Sequence, residues 1–519
     1  MSMLRSFATV GGFTMASRVL GFCRDILIAN ILGTGAVADA YFVAFRFPNL
    51  FRRLFAEGAF NAAFVPLFAK RYEGEGEHVA RQFAGEALNV LLAALLIVTA
   101  LAEIFMPWLM VVIAPGFVED PEKFDLAVLL TRIAFPYLFA ISLVALLSGM
   151  LNSMGKFAAA AAAPILLNIV LIAVLSFLLY MDAHQTPGAG EALSWGVSAA
   201  GLLQLAMLWR VVRKSGMAPT IGWPRMTPGV RDLIRLGVPG IIAGGITQIN
   251  LLIGTMIATL QAGAVSYLYY ADRIYQLPLG VVGVAIGIVL LPDLSRKLRS
   301  GNVQEASQVQ NRALELSMLL TVPAAIALMV IPGPIVSVLF EHGAFTAADT
   351  APTVWPLMAF AAGLPAFVLI KVFSPGFFAR EDTRTPMIFA SISVAVNIVG
   401  SLTLYFYIGH TGIAIATSVA GWINAGMLGF VLYRRGHFRA DYGLQTRLPR
   451  ILISSLIMGI ALWIVIQMIA PWLAVDQNLI VRILALAALI ASGVLVLGVA
   501  LVATRGVDPT QIKRQLFRR

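Results

Sequence analysis

Arg18, Arg24 and Asp25, then Asp39, Arg46, Arg52, Arg53 and Glu57, then Asp272 and Arg273, are charges set inside otherwise apolar sequence. An arginine at a helix centre in a bilayer costs about 2.5–3.5 kcal/mol on the insertion scale. Six of them facing lipid would cost roughly 15–20 kcal/mol by simple addition, so they must face a hydrated cavity or one another. At 100° per residue, Asp39, Arg46, Arg53 and Glu57 fall within about 20° of one line down a helix. Ser17, Arg18 and Asp25 are roughly aligned, whereas Arg24 is not. Gly21 is a place where the helix could break and bring Arg24 round. An excess of arginine over carboxylate suits an anionic ligand, because guanidinium offers a planar fork to phosphate oxygens and stays charged when partly desolvated. The chemistry is that of holding and moving: a transporter for a phosphate-bearing, lipid-linked substrate. The same residues also have the spacing of structural ion pairs, Arg18 with Asp25 and Arg53 with Glu57.

The elements that position these charges follow from composition. The chain has 519 residues, 59% hydrophobic and only 12% charged, about half the charge of a soluble domain. Long apolar runs recur from end to end, which predicts an all-α polytopic membrane protein. The runs are continuous rather than alternating, which excludes a transmembrane barrel. Breaking the chain at charge clusters and Gly/Pro punctuation gives fourteen candidate spans. The charged ones are the first (about 8–33), the second (about 36–70) and the eighth (about 265–298). The second would be about 50 Å long at 1.5 Å per residue, so it must tilt, project from the bilayer or bend at Pro48. Charges interrupt the N-terminal apolar stretch, and it reads as a retained first helix. The single cysteine, Cys23, excludes an intramolecular disulfide.

Of the 37 Lys and Arg residues, 27 lie at the N-terminus, in alternate connections or at the C-terminus, and the opposite connections contain Lys123 alone. That asymmetry places both termini in the cytosol and accounts for most of the +11 net charge without nucleic acid as a partner. Arg132 and Arg482 sit near span ends, where their heads are expected to snorkel. Segments also repeat. Phe64-Val-Pro-Leu-Phe-Ala-Lys-Arg71 is echoed by Leu290-Leu-Pro-Asp-Leu-Ser-Arg-Lys297, and Asn168-Ile-Val by Asn397-Ile-Val. Gly201 and Arg210 are echoed by Gly421 and Arg434. The offset is six spans, so the two halves share one orientation. The expected organisation is two pseudo-symmetric six-helix lobes, 1–221 and 222–440, around a central cavity. Two extra helices and a basic tail occupy 441–519. The five histidines lack metal-ligand spacing, and Gly149 to Lys156 lacks the spacing and hydroxyl of a phosphate-binding loop. No catalytic residue, metal or cofactor is expected, and the energy source must be a gradient or the membrane potential.

Ser17-Arg-Val-Leu-Gly-Phe-Cys-Arg-Asp25 and the stretch from Asp39-Ala-Tyr-Phe-Val-Ala-Phe-Arg46 to Glu57-Gly-Ala-Phe60 resemble the MurJ (MviN) family of bacterial lipid II flippases. Tyr269-Tyr-Ala-Asp-Arg273, Pro375-Gly-Phe-Phe378 and the fourteen-span layout agree. The resemblance implies an inner-membrane protein of the multidrug/oligosaccharidyl-lipid/polysaccharide exporter superfamily. Its substrate would be lipid II, the undecaprenyl-diphosphate-linked disaccharide pentapeptide of peptidoglycan, moved from the cytosolic to the outer leaflet. It also implies that Arg18, Arg24, Arg52 and Arg273 hold the headgroup, that Asp39 is an important acid, and that Ser17, Asp25 and Ser266 line the cavity. The acids would pair with arginines when the cavity is empty. Arg46 stands where a lysine is common, and Gln276 where some members carry glutamate. The last two helices would form a groove for the lipid tail. Some members bind sodium through carboxylates of the seventh and eleventh helices; here the eleventh span offers Asn397 and no acid. Partners beyond lipid II would be membrane lipids and cell-wall synthesis proteins. The alternatives are a flippase for another lipid-linked oligosaccharide and a non-transporting scaffold of the cell-wall machinery.

Overall fold

The computed structural model describes residues 3–51, 60–300 and 302–506. The regular structure of these residues is all helical, with no strand among them. In chain order the helices are α1 (Met3–Leu32), α2 (Ala36–Phe51), α3 (Phe60–Gly74), α4 (Glu77–Ile113), α5 (Pro121–Ala134) and α6 (Tyr137–Ser153). Then come α7 (Phe157–Tyr180), α8 (Pro187–Lys214), α9 (Pro228–Thr259), α10 (Ala264–Arg299), α11 (Val303–Val330) and α12 (Pro332–Phe340). The last are α13 (Ala347–Phe378), α14 (Arg384–Ile408), α15 (His410–Arg434), α16 (Tyr442–Leu473) and α17 (Leu479–Ala503). Among the described residues, ten helical stretches are long and apolar enough to cross a membrane.

Local sequence explains where helices begin. α5, α8 and α9 all start with a capping side chain followed by proline. Asp120 accepts the N–H of Lys123, Thr186 that of Ala189 and Thr227 that of Val230. The cap satisfies an otherwise orphaned donor, and proline costs nothing at a position whose N–H has no helical partner. The predicted fourth span is two helices, because the chain leaves α5 at Phe135 and Pro136 before α6 begins. The predicted ninth span ends at Val330, and the short α12 follows it, unforeseen in the sequence. Of the predicted second span, α2 carries Pro48 in its last turn and α3 carries Pro66.

The chain divides into two compact units, one of residues 1–266 with 342–345, the other of 267–341 with 346–519. The first unit therefore takes in α9, which the repeat counts as the opening helix of the second lobe. In it α1 packs on α7, α2 on α5, and α8 on both α6 and α7. Residues 342–345 join this unit because the Ala344 N–H donates to the Asn30 carbonyl at 2.7 Å, and the Ala344 carbonyl accepts from Gln185. In the second unit α13 packs on α15 and α11, and α16 on α17 and α11. Its core joins Leu290, Met318, Val372, Phe377, Leu432 and Leu444, from five helices.

The repeated glycines have matching roles. A β-carbon on Gly201 of α8 would lie 2.7 Å from the Tyr137 ring of α6. One on Gly421 of α15 would lie 3.1 Å from the Phe367 ring of α13. Each glycine lets an aromatic ring of the neighbouring helix press against backbone. Outward faces stay apolar: Ile104 and Trp108 of α4, Ile460 and Trp463 of α16, and Leu495 and Val499 of α17 are exposed. In water such a surface would drive aggregation, whereas hydrocarbon solvates it.

Candidate functional site

Two buried polar clusters gather most of the predicted residues of the first unit. In one, Arg24 is 7% and Asp25 2% exposed. Arg24 directs Nε (3.1 Å) and Nη2 (2.6 Å) to Oδ1 of Asp25, and Nη1 to Oδ1 of Asn168 at 3.0 Å. The Asn168 amide in turn donates to the Ser17 carbonyl at 2.9 Å and to the Ser17 hydroxyl at 3.4 Å. Asn168 thus pins α7 to two points of α1 about two turns apart. The expected break at Gly21 is corrected by the structure: α1 runs through it as one helix. Arg24 needs no break, because Asp25 and the amide reaching over from α7 meet its fork where it stands. Gly21 instead faces that amide, its missing β-carbon 3.5 Å from Asn168 Nδ2. Arg18 lies on the same helix face as Asp25, is exposed, and forms no ion pair among the described residues.

The second cluster centres on Asp39, which is 0% exposed. Lys123 of α5 donates to Oδ2 at 2.8 Å, and so does the Gly263 N–H at 2.9 Å. Ser266 donates to Oδ1 through both its N–H (3.1 Å) and its hydroxyl (2.6 Å). The Lys123 ammonium also sits over the Phe117 ring, 4.2 Å from its centroid. Asp39 therefore holds the first turn of α10 from outside, as an N-cap residue would from within, and its charge is balanced by lysine. The expectation that Asp39 pairs with an arginine is corrected. The buried, fully engaged Ser266 and Asp39 are not groups that face an open cavity.

The remaining predicted residues are dispersed. Arg46 of α2, half-buried, donates to the Thr255 hydroxyl of α9 at 2.6 Å. Arg52 and Arg53 lie outside the described residues. In the second unit, the Arg273 guanidinium sits over the Tyr269 ring one turn earlier on α10, 4.6 Å from its centroid. Gln276 donates to Asp272. Arg482 does not snorkel. It is 2% exposed and gives Nη2 to the carbonyl and hydroxyl of Ser337 in α12, tying α17 to that short helix.

Sequence reasoning passed over Asn168 and Lys123 as site residues. Both carried a signal. Asn168 marked the internal repeat, and Lys123 is the lone basic residue of its set of connections. An asparagine inside an apolar span and an isolated lysine each require a partner, and the partners here are the predicted Arg24 and Asp39. Among the described residues, no group of His, Cys, Asp and Glu is placed to hold a metal ion. What the first cluster offers chemically is a guanidinium in a buried setting, with a carboxylate and a neutral amide among its partners, which an anion of higher charge can displace or join.

The family model for lipid II flippase MurJ matches residues 28–483. A probable lipid II flippase MurJ of Rhizobium meliloti (strain 1021) is 51% identical over 519 residues, covering 100% of this chain and 97% of that protein. The lipid II flippase MurJ of Burkholderia cenocepacia is 35% identical over 476 residues, covering 90% of this chain and 91% of its own. Among solved structures, a lipid II flippase MurJ in an inward closed conformation superposes with a TM-score of 0.78 at 25% identity, over 98% of this chain and 99% of that one. An inward-facing multidrug resistance MATE transporter of the MOP superfamily shares the fold, with a TM-score of 0.69 at 14% identity, over 83% of this chain and 97% of that one. With ten apolar helical stretches among its described residues and this fold, the protein is a multi-pass membrane transporter and not an enzyme, and the chain belongs to the MurJ family of lipid II flippases.

Proposed function

We propose that the protein carries the undecaprenyl-diphosphate-linked disaccharide pentapeptide from the cytosolic to the outer leaflet of the bacterial inner membrane by alternating access. The organisation proposed is fourteen spanning helices, with lobes at 1–221 and 222–440, two further helices in 441–519, and both termini in the cytosol. Arg18, Arg24, Arg52 and Arg273 hold the diphosphate and sugar headgroup, with Arg46 and Arg53 adding positive potential. The polyprenyl tail stays in lipid along α16 and α17.

The observation that carries this reading is the state of Arg24 in a chain of this family. Its fork is held by Asp25, a neighbour on the same helix, and by a neutral amide. A diphosphate brings more charge and more acceptor oxygens than one carboxylate, so it can take over the Nε–Nη2 edge while Asn168 keeps Nη1. Asp25 then acts as the placeholder that keeps a buried arginine paired between substrates. Asp39 and Ser266 serve by fixing the start of α10, the helix that carries Arg273, without touching the headgroup.

The test is depletion in a cell whose only flippase of this type is this protein, with labelled lipid II followed at the outer leaflet. Arrival should stop on depletion and resume with the wild-type chain. Arg18→Ala, Arg24→Ala and Arg273→Ala should each fail to restore it. Restoration by all three would remove the headgroup role and leave a scaffold.

A further inference from the structure

We infer that the first unit holds an anionic phospholipid in a cleft formed by α4, α6 and α8, on residues other than those assigned to lipid II. The cleft has a volume of about 890 Å³ and is lined by α4 at Leu88, by α6 at Leu143 and by one continuous stripe of α8. That stripe reads Leu202, Leu205, Trp209, then Arg210, Arg213 and Lys214, all within one half of the helix circumference. Its character changes once along its length, from wholly apolar to wholly basic. From residue 202 to 214 it measures about 18 Å at 1.5 Å per residue. One leaflet has about 15 Å of hydrocarbon, half of a core about 30 Å thick, so acyl chain and phosphate fit the stripe in register.

Charge complementarity identifies the occupant. Arg210, Arg213 and Lys214 are exposed, and none of them forms an ion pair or a side-chain hydrogen bond among the described residues. Lys156 brings a fourth cation to the same end, donating to the hydroxyl of Ser215 at 2.7 Å. An apolar channel leading to cations without acidic partners fits an amphiphile whose head is a phosphate. The volume, about 890 Å³, falls within the range of about 300–1,000 Å³ typical of sites for one small ligand.

The basic end is built, not merely decorated. Asn89 of α4 clamps the segment after α8 from both sides, donating to the Thr220 carbonyl at 3.2 Å and accepting from the Gly222 N–H at 2.9 Å. The clamp lays exposed Ile221 along the cleft, while Trp223 beside it is 87% exposed. A tryptophan so placed sits at headgroup level in a bilayer. The lipid would belong to whichever leaflet meets this end, so the inference does not depend on the direction of transport.

Native mass spectrometry of the purified full-length protein, titrated with phosphatidylglycerol, phosphatidylcholine or inorganic phosphate, tests it. We expect one phosphatidylglycerol to be retained in preference to phosphatidylcholine and not to be displaced by millimolar inorganic phosphate. R210Q/R213Q/K214Q should weaken retention by about tenfold or more. A206F, which fills the cleft and leaves the charges intact, should exclude the lipid as well. R296Q/K297Q/R299Q, an equal loss of charge on α10, should leave retention unchanged. The inference is overturned if the α8 triple variant and A206F both retain phosphatidylglycerol as the wild type does, or if the α10 variant loses as much as the α8 one. Equal retention of phosphatidylcholine, or displacement by free phosphate, overturns it too. Should the α8 variant fail to fold, A206F alone decides.

Discussion

The Arg24 guanidinium and the Asn168 amide meet at 3.0 Å across α1 and α7, and the same amide also bonds the Ser17 carbonyl one and a half to two turns earlier. One neutral side chain thereby fixes both the height of a buried arginine and the line of the helix that carries it.

Asn168→Ala should therefore lower stability by about 1–3 kcal/mol, since it leaves a buried charged donor short of a partner, and should reduce transport further than that loss explains. Asn168→Asp should do something different. A second carboxylate beside Arg24 satisfies the fork more fully and competes with an anionic headgroup, so lipid II arrival should fall; the amide donor to the Ser17 carbonyl is lost as well, so melting temperature should fall too, by less than in Asn168→Ala. Thermal melting of the purified variants and the depletion assay read the two effects separately.

The pair Asp39–Lys123 predicts a thermodynamic cycle. Removing either partner strands the other in a buried setting, and Asp39→Ala or Lys123→Ala should each cost about 3–5 kcal/mol. Because the two losses overlap, the double variant should cost clearly less than their sum. Asp39→Ala should be the worse of the two singles, as it also orphans the N–H groups of Gly263 and Ser266. Additive melting shifts would remove the pair from the architecture of α10.

Enlarging Gly201 tests the packing half of the repeat. Gly201→Val pushes a branched side chain into the Tyr137 ring, where even a β-carbon would lie at 2.7 Å, and should cost about 1–3 kcal/mol by overpacking. Gly421→Val, against Phe367 at 3.1 Å, should cost less. Gly498, with open space around it, supplies the control, and its valine variant should melt with the wild type.

Outside the spanning helices, Asp382 gives a pH dependence. The Thr385 N–H and the Arg435 guanidinium at 2.6 Å stabilise its carboxylate and hold its pKa at about 2. A folded-state pKa below the unfolded one contributes stability above the ordinary aspartate value of about 4, lost as pH falls through that value toward 2. Melting temperature should drop more steeply for the wild type than for Asp382→Asn over that interval, and the two slopes should match above pH 5.

Much of this was legible in the residues themselves. Arginines inside apolar runs pay so large a solvation cost that their types alone demand a cavity or a partner. Arg24 and Asp25 could be recognised before any fold was known. Gly201 and Gly421, paired in the sequence, each face an aromatic ring of a neighbouring helix, Tyr137 and Phe367. Hydropathy announced the helices, since a bilayer leaves a spanning chain no other way to satisfy its backbone.

Tertiary structure alone decided who pairs with whom. Periodicity fixes a residue's direction around its own helix but says nothing about which neighbour faces it. Asp39 is thus expected to pair with arginines, whereas Lys123 and the first turn of α10 reach it from 84 and more than 220 residues away. Gly21 looked like a break, yet α1 is one unbroken helix, and Asn168 of α7 comes to Arg24 rather than Arg24 turning toward the cluster. Arg482 looked like a snorkelling end until α12, a helix too short for hydropathy to detect, supplied Ser337. Burial of a charge is an energetic demand that a sequence states openly, but the group that meets the demand is chosen by packing between distant segments, and only the folded chain brings those together.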